Sequence, residues 1–120
     1  MILLLTNDQG IDENLAFVLR QLGYSYVVVK CDSEQVRASL SAHKIKCVLL
    51  PLWGKGVVQL VQLICQGDKV PYVLYTPYFT AETLQQIKQI PPPIYLTKIY
   101  NKDELYITIE LACYYYECII

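Results

Sequence analysis

The chain has 120 residues and a mass of 13.8 kDa, is 54% hydrophobic and 18% charged, and carries a formal net charge of −1. That length fits one domain able to bury its own core, and the near-neutral balance argues against nucleic-acid or anionic-membrane binding, both of which need a basic face. Charge is scarcer than the ~25% usual in soluble domains while tyrosine occurs 11 times, so a sticky face is expected.

Short apolar runs alternate with amphipathic stretches along the whole chain. Ile2 to Leu5 is unbroken apolar sequence, as a strand buried on both faces reads. Leu15, Val18, Leu19 and Leu22 then recur at helical spacing, with Gly23 as the stop. Tyr26 to Val29 is the second strand, and Asp32 with Gln35 three residues on predicts a capping box opening a helix through Val36 and Leu40. Ile45 to Leu52 is the third and most apolar strand, followed by a helix over Val57 to Cys65 that Gly67 ends.

Tyr72 to Tyr75 is the fourth strand, and Thr80 caps a helix carrying Leu84 and Ile87. Pro91-Pro92-Pro93 lacks backbone donors and must be an extended connector into a short strand, Ile94 to Leu96. Asn101 with Glu104 forms a second capping-box pattern opening a last helix to about Cys118. Five strands alternating with five helices give a (βα)5 α/β domain, a doubly wound parallel sheet with right-handed crossovers, spanning residues 1–120 without a linker. The opening MILLLTND is too short and lacks the basic leader of a signal peptide, and no apolar run approaches the ~18 residues of a membrane span, so a cytoplasmic protein is expected.

The five cysteines, Cys31, Cys47, Cys65, Cys113 and Cys118, have no C-x-x-C spacing, and the lone His43 has no metal-ligand neighbour in sequence. Buried reduced thiols are expected, and no metal or other cofactor. His43 falls near the end of the second helix, where a cation is favourable.

In doubly wound sheets, chemistry gathers at the carboxyl ends of the strands. The segment Tyr95-Leu96-Thr97-Lys98-Ile99-Tyr100 followed by Asp103-Glu104-Leu105 resembles the aromatic-x-x-Lys-Pro-Phe segment of bacterial response-regulator receiver domains. Pro71 to Thr76 is similar to that family's fourth strand ending in Thr or Ser, and the first strand and the Gly23-Tyr24 turn also fit. The resemblance runs along nearly the full length. It implies the flavodoxin-like strand order 2-1-3-4-5, with Lys98 as the lysine that contacts an acyl-phosphate, Thr76 as the switching hydroxyl and Tyr95 as the rotating aromatic. The residues alone also allow a rim lysine at 98, a turn threonine at 76 and a tyrosine packed under the last helix at 95.

The departures decide the expected function. The family holds Mg²⁺ with an acidic pair after the first strand and phosphorylates an aspartate ending the third. A hard cation wants carboxylates, and an acyl-phosphate requires one. The pair positions read Thr6 and Asn7, with Asp8 nearby and better suited to capping the first helix, and the nucleophile position reads Pro51. No Asp or Glu lies between Ile45 and Gln66. Ile99 replaces the proline after the lysine, and a cis bond there would cost ~3 kcal/mol, so a trans Lys98–Ile99 bond is expected.

The expectation is therefore a receiver-like domain of two-component signalling that has lost its phospho-acceptor, a non-enzymatic module for binding a protein partner or a second copy. In the last helix Leu105, Ile109, Ala112 and Tyr116 form a core stripe, while Tyr106, Ile107, Leu111, Tyr114 and Tyr115 populate the other sides. Low-charge, tyrosine-rich surfaces suit interface cores. The resemblance places docking on the fourth helix, fifth strand and fifth helix, and adds Tyr100 to that face. An atypical phospho-receiver and a small-molecule binder on the same fold are the alternatives. Gly54-Lys55-Gly56 is too short to cradle a phosphate chain, and Trp53 beside it either plugs the degenerate pocket or faces a partner.

Overall fold

The computed structural model describes residues 1–6, 11–52, 56–66, 70–76, 80–90, 95–98 and 101–119. Five strands, β1 (Ile2–Thr6), β2 (Tyr26–Lys30), β3 (Cys47–Pro51), β4 (Tyr72–Thr76) and β5 (Leu96–Lys98), alternate with helices α1 (Ile11–Gln21), α2 (Ser33–Ala42), α3 (Val57–Gln66), α4 (Ala81–Ile87) and α5 (Lys102–Ile119). The sheet is wholly parallel, in the order β2-β1-β3-β4-β5. This is the flavodoxin-like (βα)5 architecture expected from the sequence.

Alternation along β1 divides the core. Ile2 and Leu4 pack with Leu15, Leu19, Leu105, Ile109 and Ala112 of α1 and α5. Leu3 and Leu5 pack with Val36, Leu60, Val61 and Ile64 of α2 and α3. All four β1 side chains are fully buried, which is why the strand shows no polar alternation in sequence. Among the described residues no helix is long and apolar enough to cross a membrane.

The helix ends follow local chemistry. α1 stops at Gly23, whose φ of 88° only glycine adopts freely. The Tyr24 N–H then bonds the Leu19 carbonyl and the Gly23 N–H bonds that of Arg20, the Schellman pattern. Asp32 caps α2, although its side chain accepts from the Glu34 N–H at 3.2 Å and Gln35 is exposed. His43 is the C-cap of that helix. Thr80 and Thr83 form a reciprocal capping box at α4, and Asn101 accepts the Glu104 N–H at 2.9 Å at α5.

Two strands differ from the sequence reading. β3 begins at Cys47 rather than Ile45, because the Lys46 N–H turns to the Met1 carbonyl at 2.7 Å and its ammonium is held by α5. β5 is Leu96–Lys98 rather than Ile94–Leu96, pairing Leu74↔Leu96, Tyr75↔Thr97 and Thr76↔Lys98. A proline run supplies no N–H to a ladder, so pairing starts well after it; Ile94 lies outside the described residues.

α5 is fastened at its middle. Glu110 accepts from the Tyr24 hydroxyl at 2.6 Å and from Lys46 Nζ at 2.7 Å, and that ammonium also sits 5.2 Å from the centre of the Tyr24 ring. The Lys46 ammonium foremost, then the Tyr24 hydroxyl, holds the Glu110 carboxyl below its ordinary range. The same bond raises Lys46, and burial, with Glu110 second, pushes the Tyr24 phenol up. A lowered carboxyl stabilises the fold above the unfolded carboxylate value and loses that contribution as pH falls through the folded value. A raised ammonium contributes below its unfolded value and loses it as pH rises through the folded one.

Both partners of the pair are about two-fifths exposed. Solvent screening therefore leaves Glu110→Gln a cost of about 1 kcal/mol at neutral pH, or about 4 °C in Tm. Thermal melts of the wild type and variant should converge as pH falls below about 4. A gap independent of pH would mean that the carboxylate charge is not what fastens α5.

Candidate functional site

Four adjacent strands end in the predicted site residues. β1 ends at Thr6, β3 at Pro51, β4 at Thr76 and β5 at Lys98. The sheet therefore brings these four positions to one edge, where doubly wound folds bind ligands. Thr6, Pro51 and Thr76 are buried. Asn7, Asp8, Trp53, Ile99 and Tyr100 lie outside the described residues, as does the side chain of Lys98. Among the described residues no cluster of three or more His, Cys, Asp or Glu could hold a metal ion.

Pro51 governs the hydrogen bonding at this edge. The N–H groups of Val48 and Leu52 point to β4, donating to Pro71 and Tyr75 carbonyls, each at 2.9 Å. By alternation the nitrogen of Pro51 faces β1, and it has no hydrogen to give. The β1–β3 pairing accordingly stops at Leu4↔Leu49, while β3–β4 pairing runs on to Pro51↔Tyr75. The carbonyl next in line on β1, that of Leu5, is buried and has lost its ladder donor. The Tyr75 hydroxyl replaces it, reaching across β3 from β4 to donate to the Leu5 oxygen at 2.5 Å. Tyr75 is itself 1% exposed. Tyrosine at 75 and proline at 51 are thus complementary, a pairing that sequence spacing alone does not signal.

Tyr95, the expected switch aromatic, is half-buried and lies parallel to Tyr115 of α5, ring centres 6.4 Å apart with 12° between planes. Tyr115 meets Tyr114 edge-on at 5.4 Å. Leu105, Ile109 and Ala112 are buried as the helical stripe predicts, while Tyr116 is only half-buried. Tyr106, Ile107, Leu111, Tyr114 and Tyr115 are 45%, 55%, 42%, 59% and 45% exposed, and Leu84 of α4 joins them at 52%. In the sequence the spacing of Leu84 reads as core.

Beside the strand ends, an open groove of about 540 Å³ lies between α2 and α3. Leu60 and Leu63 give it an apolar wall, and Asp32, Ser33, Arg37 and Gln59 a polar one. Cys31 and Asp32, which follow β2, bring this groove to the carboxyl end of that strand.

Neither a protein-family model nor any curated protein matches the sequence. Solved structures do. The signal receiver domain of a modulated diguanylate cyclase from Desulfovibrio desulfuricans G20 superposes with a TM-score of 0.80 at 20% identity, over 99% of this chain and 97% of that one. The chain has the receiver-domain fold. A CheY-like response-regulator receiver from Methanospirillum hungatei JF-1 matches at TM-score 0.72 and 14% identity, covering 99% of this chain and 97% of that one. The beryllofluoride-activated NtrC4 receiver domain dimer matches at TM-score 0.72 and 17% identity, covering 96% and 97%.

A double-mutant cycle tests the Pro51–Tyr75 complementarity in this receiver-like sheet. Tyr75→Phe strands the buried Leu5 carbonyl and should cost about 1–3 kcal/mol. In a Pro51→Ala background, which returns an N–H to β3, the same change should cost at least 1 kcal/mol less, measured by urea unfolding. Equal costs in both backgrounds would show that the tyrosine does not stand in for the missing donor.

Proposed function

We propose that this chain is a receiver-like module without phosphoryl chemistry, working by contact with a protein partner or a second copy of itself. The observation that carries the reading is Pro51. Its side chain offers no oxygen to a phosphoryl group or a cation, and its missing N–H is made good by a buried tyrosine from the next strand. In this reading the strand ends at Thr6, Thr76 and Lys98 transfer nothing. The module is neither an enzyme nor a nucleic-acid or membrane binder, and it belongs in the cytoplasm.

The exposed residues of α5, together with the exposed Leu84 of α4, form the docking face. Their exposure supports this, since five large apolar or aromatic residues on one helix stand in solvent. Such a face gains by burial at roughly 25 cal/mol per Å². The NtrC4 receiver of the same fold is a dimer, which favours a second copy as one occupant. A module that is not phosphorylated would hold its partner constitutively.

Incubation with Mg²⁺ and acetyl phosphate should leave the intact mass unchanged, and sedimentation velocity at ~100 µM should show association before and after treatment alike. Ile107→Glu should weaken that association at least tenfold, equivalent to about 1.4 kcal/mol. A stoichiometric, hydroxylamine-labile phosphate adduct would overturn the loss of chemistry. A monomer at that concentration would exclude the self-association form of the proposal and leave a partner protein as the occupant.

A further inference from the structure

Two of the cysteines meet at the edge of the sheet opposite the strand ends. Cys47 opens β3 and is fully buried, in the same core cluster as Ile109 and Ala112 of α5. Cys113 lies on α5, half-buried and packed against that cluster. Its Sγ donates to the Lys46 carbonyl at 3.7 Å, which places it beside the backbone that leads directly into Cys47. The Cys47 Sγ donates to the Val48 carbonyl at 3.8 Å, so the two thiols are held against neighbouring stretches of the backbone that opens β3, in contact with one core cluster. Of the charged groups around them, the Lys46 ammonium favours a thiolate on Cys113, whereas Glu110 and Glu117 oppose it.

We propose that Cys47 and Cys113 form a reversible dithiol–disulfide pair that reacts with hydroperoxides. The two sulfurs differ as an attacking and a resolving thiol should. Cys113 is the more accessible, and the neighbouring Cys47 thiol foremost, then the Lys46 charge, lowers it. The Cys113 sulfur beside it and its own burial push the Cys47 thiol up. The Cys113 thiolate attacks one peroxide oxygen and the O–O bond breaks. The departing alkoxide or hydroxide takes a proton and leaves as alcohol or water, and Cys113 becomes a sulfenic acid. The Cys47 sulfur then attacks the Cys113 sulfur, the S–O bond breaks, and the hydroxide leaves with the Cys47 proton as water. In sum, two thiols and one hydroperoxide give one disulfide, one alcohol or water, and one further water. The sulfurs lose two electrons and the peroxide gains them. A dithiol reverses the step by exchange. The bond would staple α5 to β3 next to the Glu110–Lys46 pair, so oxidation acts directly on the helix that carries the exposed tyrosines. The pair itself does not depend on the docking role of that helix.

The reduced 120-residue chain is treated with equimolar hydrogen peroxide, denatured in N-ethylmaleimide, digested without reductant and mapped by mass spectrometry. The expected result is a cross-linked peptide joining Cys47 to Cys113, lost after dithiothreitol, with Cys31, Cys65 and Cys118 alkylated. In Cys47→Ala the sulfenic acid on Cys113 should persist and take up dimedone. The wild-type map decides the matter even if that variant folds poorly. A cross-link dominated by any other pair, or an over-oxidised Cys113 beside an alkylated Cys47, would overturn the proposal.

Discussion

A proline ends the central strand of this sheet, and the arrangement of the strand ends follows from its missing N–H. In a parallel sheet buried on both faces, an unsatisfied carbonyl costs on the order of 1–3 kcal/mol. The Leu5 carbonyl, facing Pro51, is therefore met by a hydroxyl carried from the far side of β3. The tyrosine that supplies it belongs to the core cluster under α1 and α5 and is almost wholly enclosed. The edge at which doubly wound proteins usually place their chemistry is here occupied by a structural repair.

The same two-sided burial accounts for where the remaining surface lies. β1, β3 and β4 are covered by helices on both faces, so their side chains are committed to packing. α5 is covered on one side only. Its buried stripe lies on β1, β3 and β4, its middle is fastened by Glu110 to Tyr24 and Lys46, and Tyr115 lies parallel to Tyr95 ahead of β5. A helix held so firmly can present tyrosine, leucine and isoleucine to solvent without rolling to bury them. Rigid aromatic side chains on a fixed element suit protein contact because little conformational entropy is lost on binding.

The fold was largely legible because its signals are local. Unbroken apolar runs marked the buried strands, and Gly23, Asp32, Thr80 and Asn101 marked helix ends by side-chain chemistry that acts over a few residues. Ile94 to Leu96 is as apolar as a strand should be, and only pairing with β4 selects Leu96–Lys98. The positions of Thr6, Pro51, Thr76 and Lys98 at one edge were also legible, since each stands at the carboxyl end of an apolar run. What could not be read joins residues far apart in the chain. Tyr24 and Lys46 reach Glu110 across 86 and 64 positions, and Tyr75 reaches Leu5 across 70. Nothing in the spacing of Cys47 and Cys113 pairs them. Cysteine was expected to be buried throughout, and Cys31 and Cys113 are instead half-buried.

The central claim is that the receiver-like strand ends no longer respond to phosphoryl chemistry. The most direct test is a two-dimensional amide NMR spectrum of the labelled chain, recorded before and after addition of Mg²⁺ with beryllofluoride, a mimic of the acyl-phosphate. The account predicts that the amides of Thr6, Leu52 and Thr76, and those of α5, keep their positions. Saturable shifts at those strand-end amides, propagating to Tyr95 and α5, would contradict it.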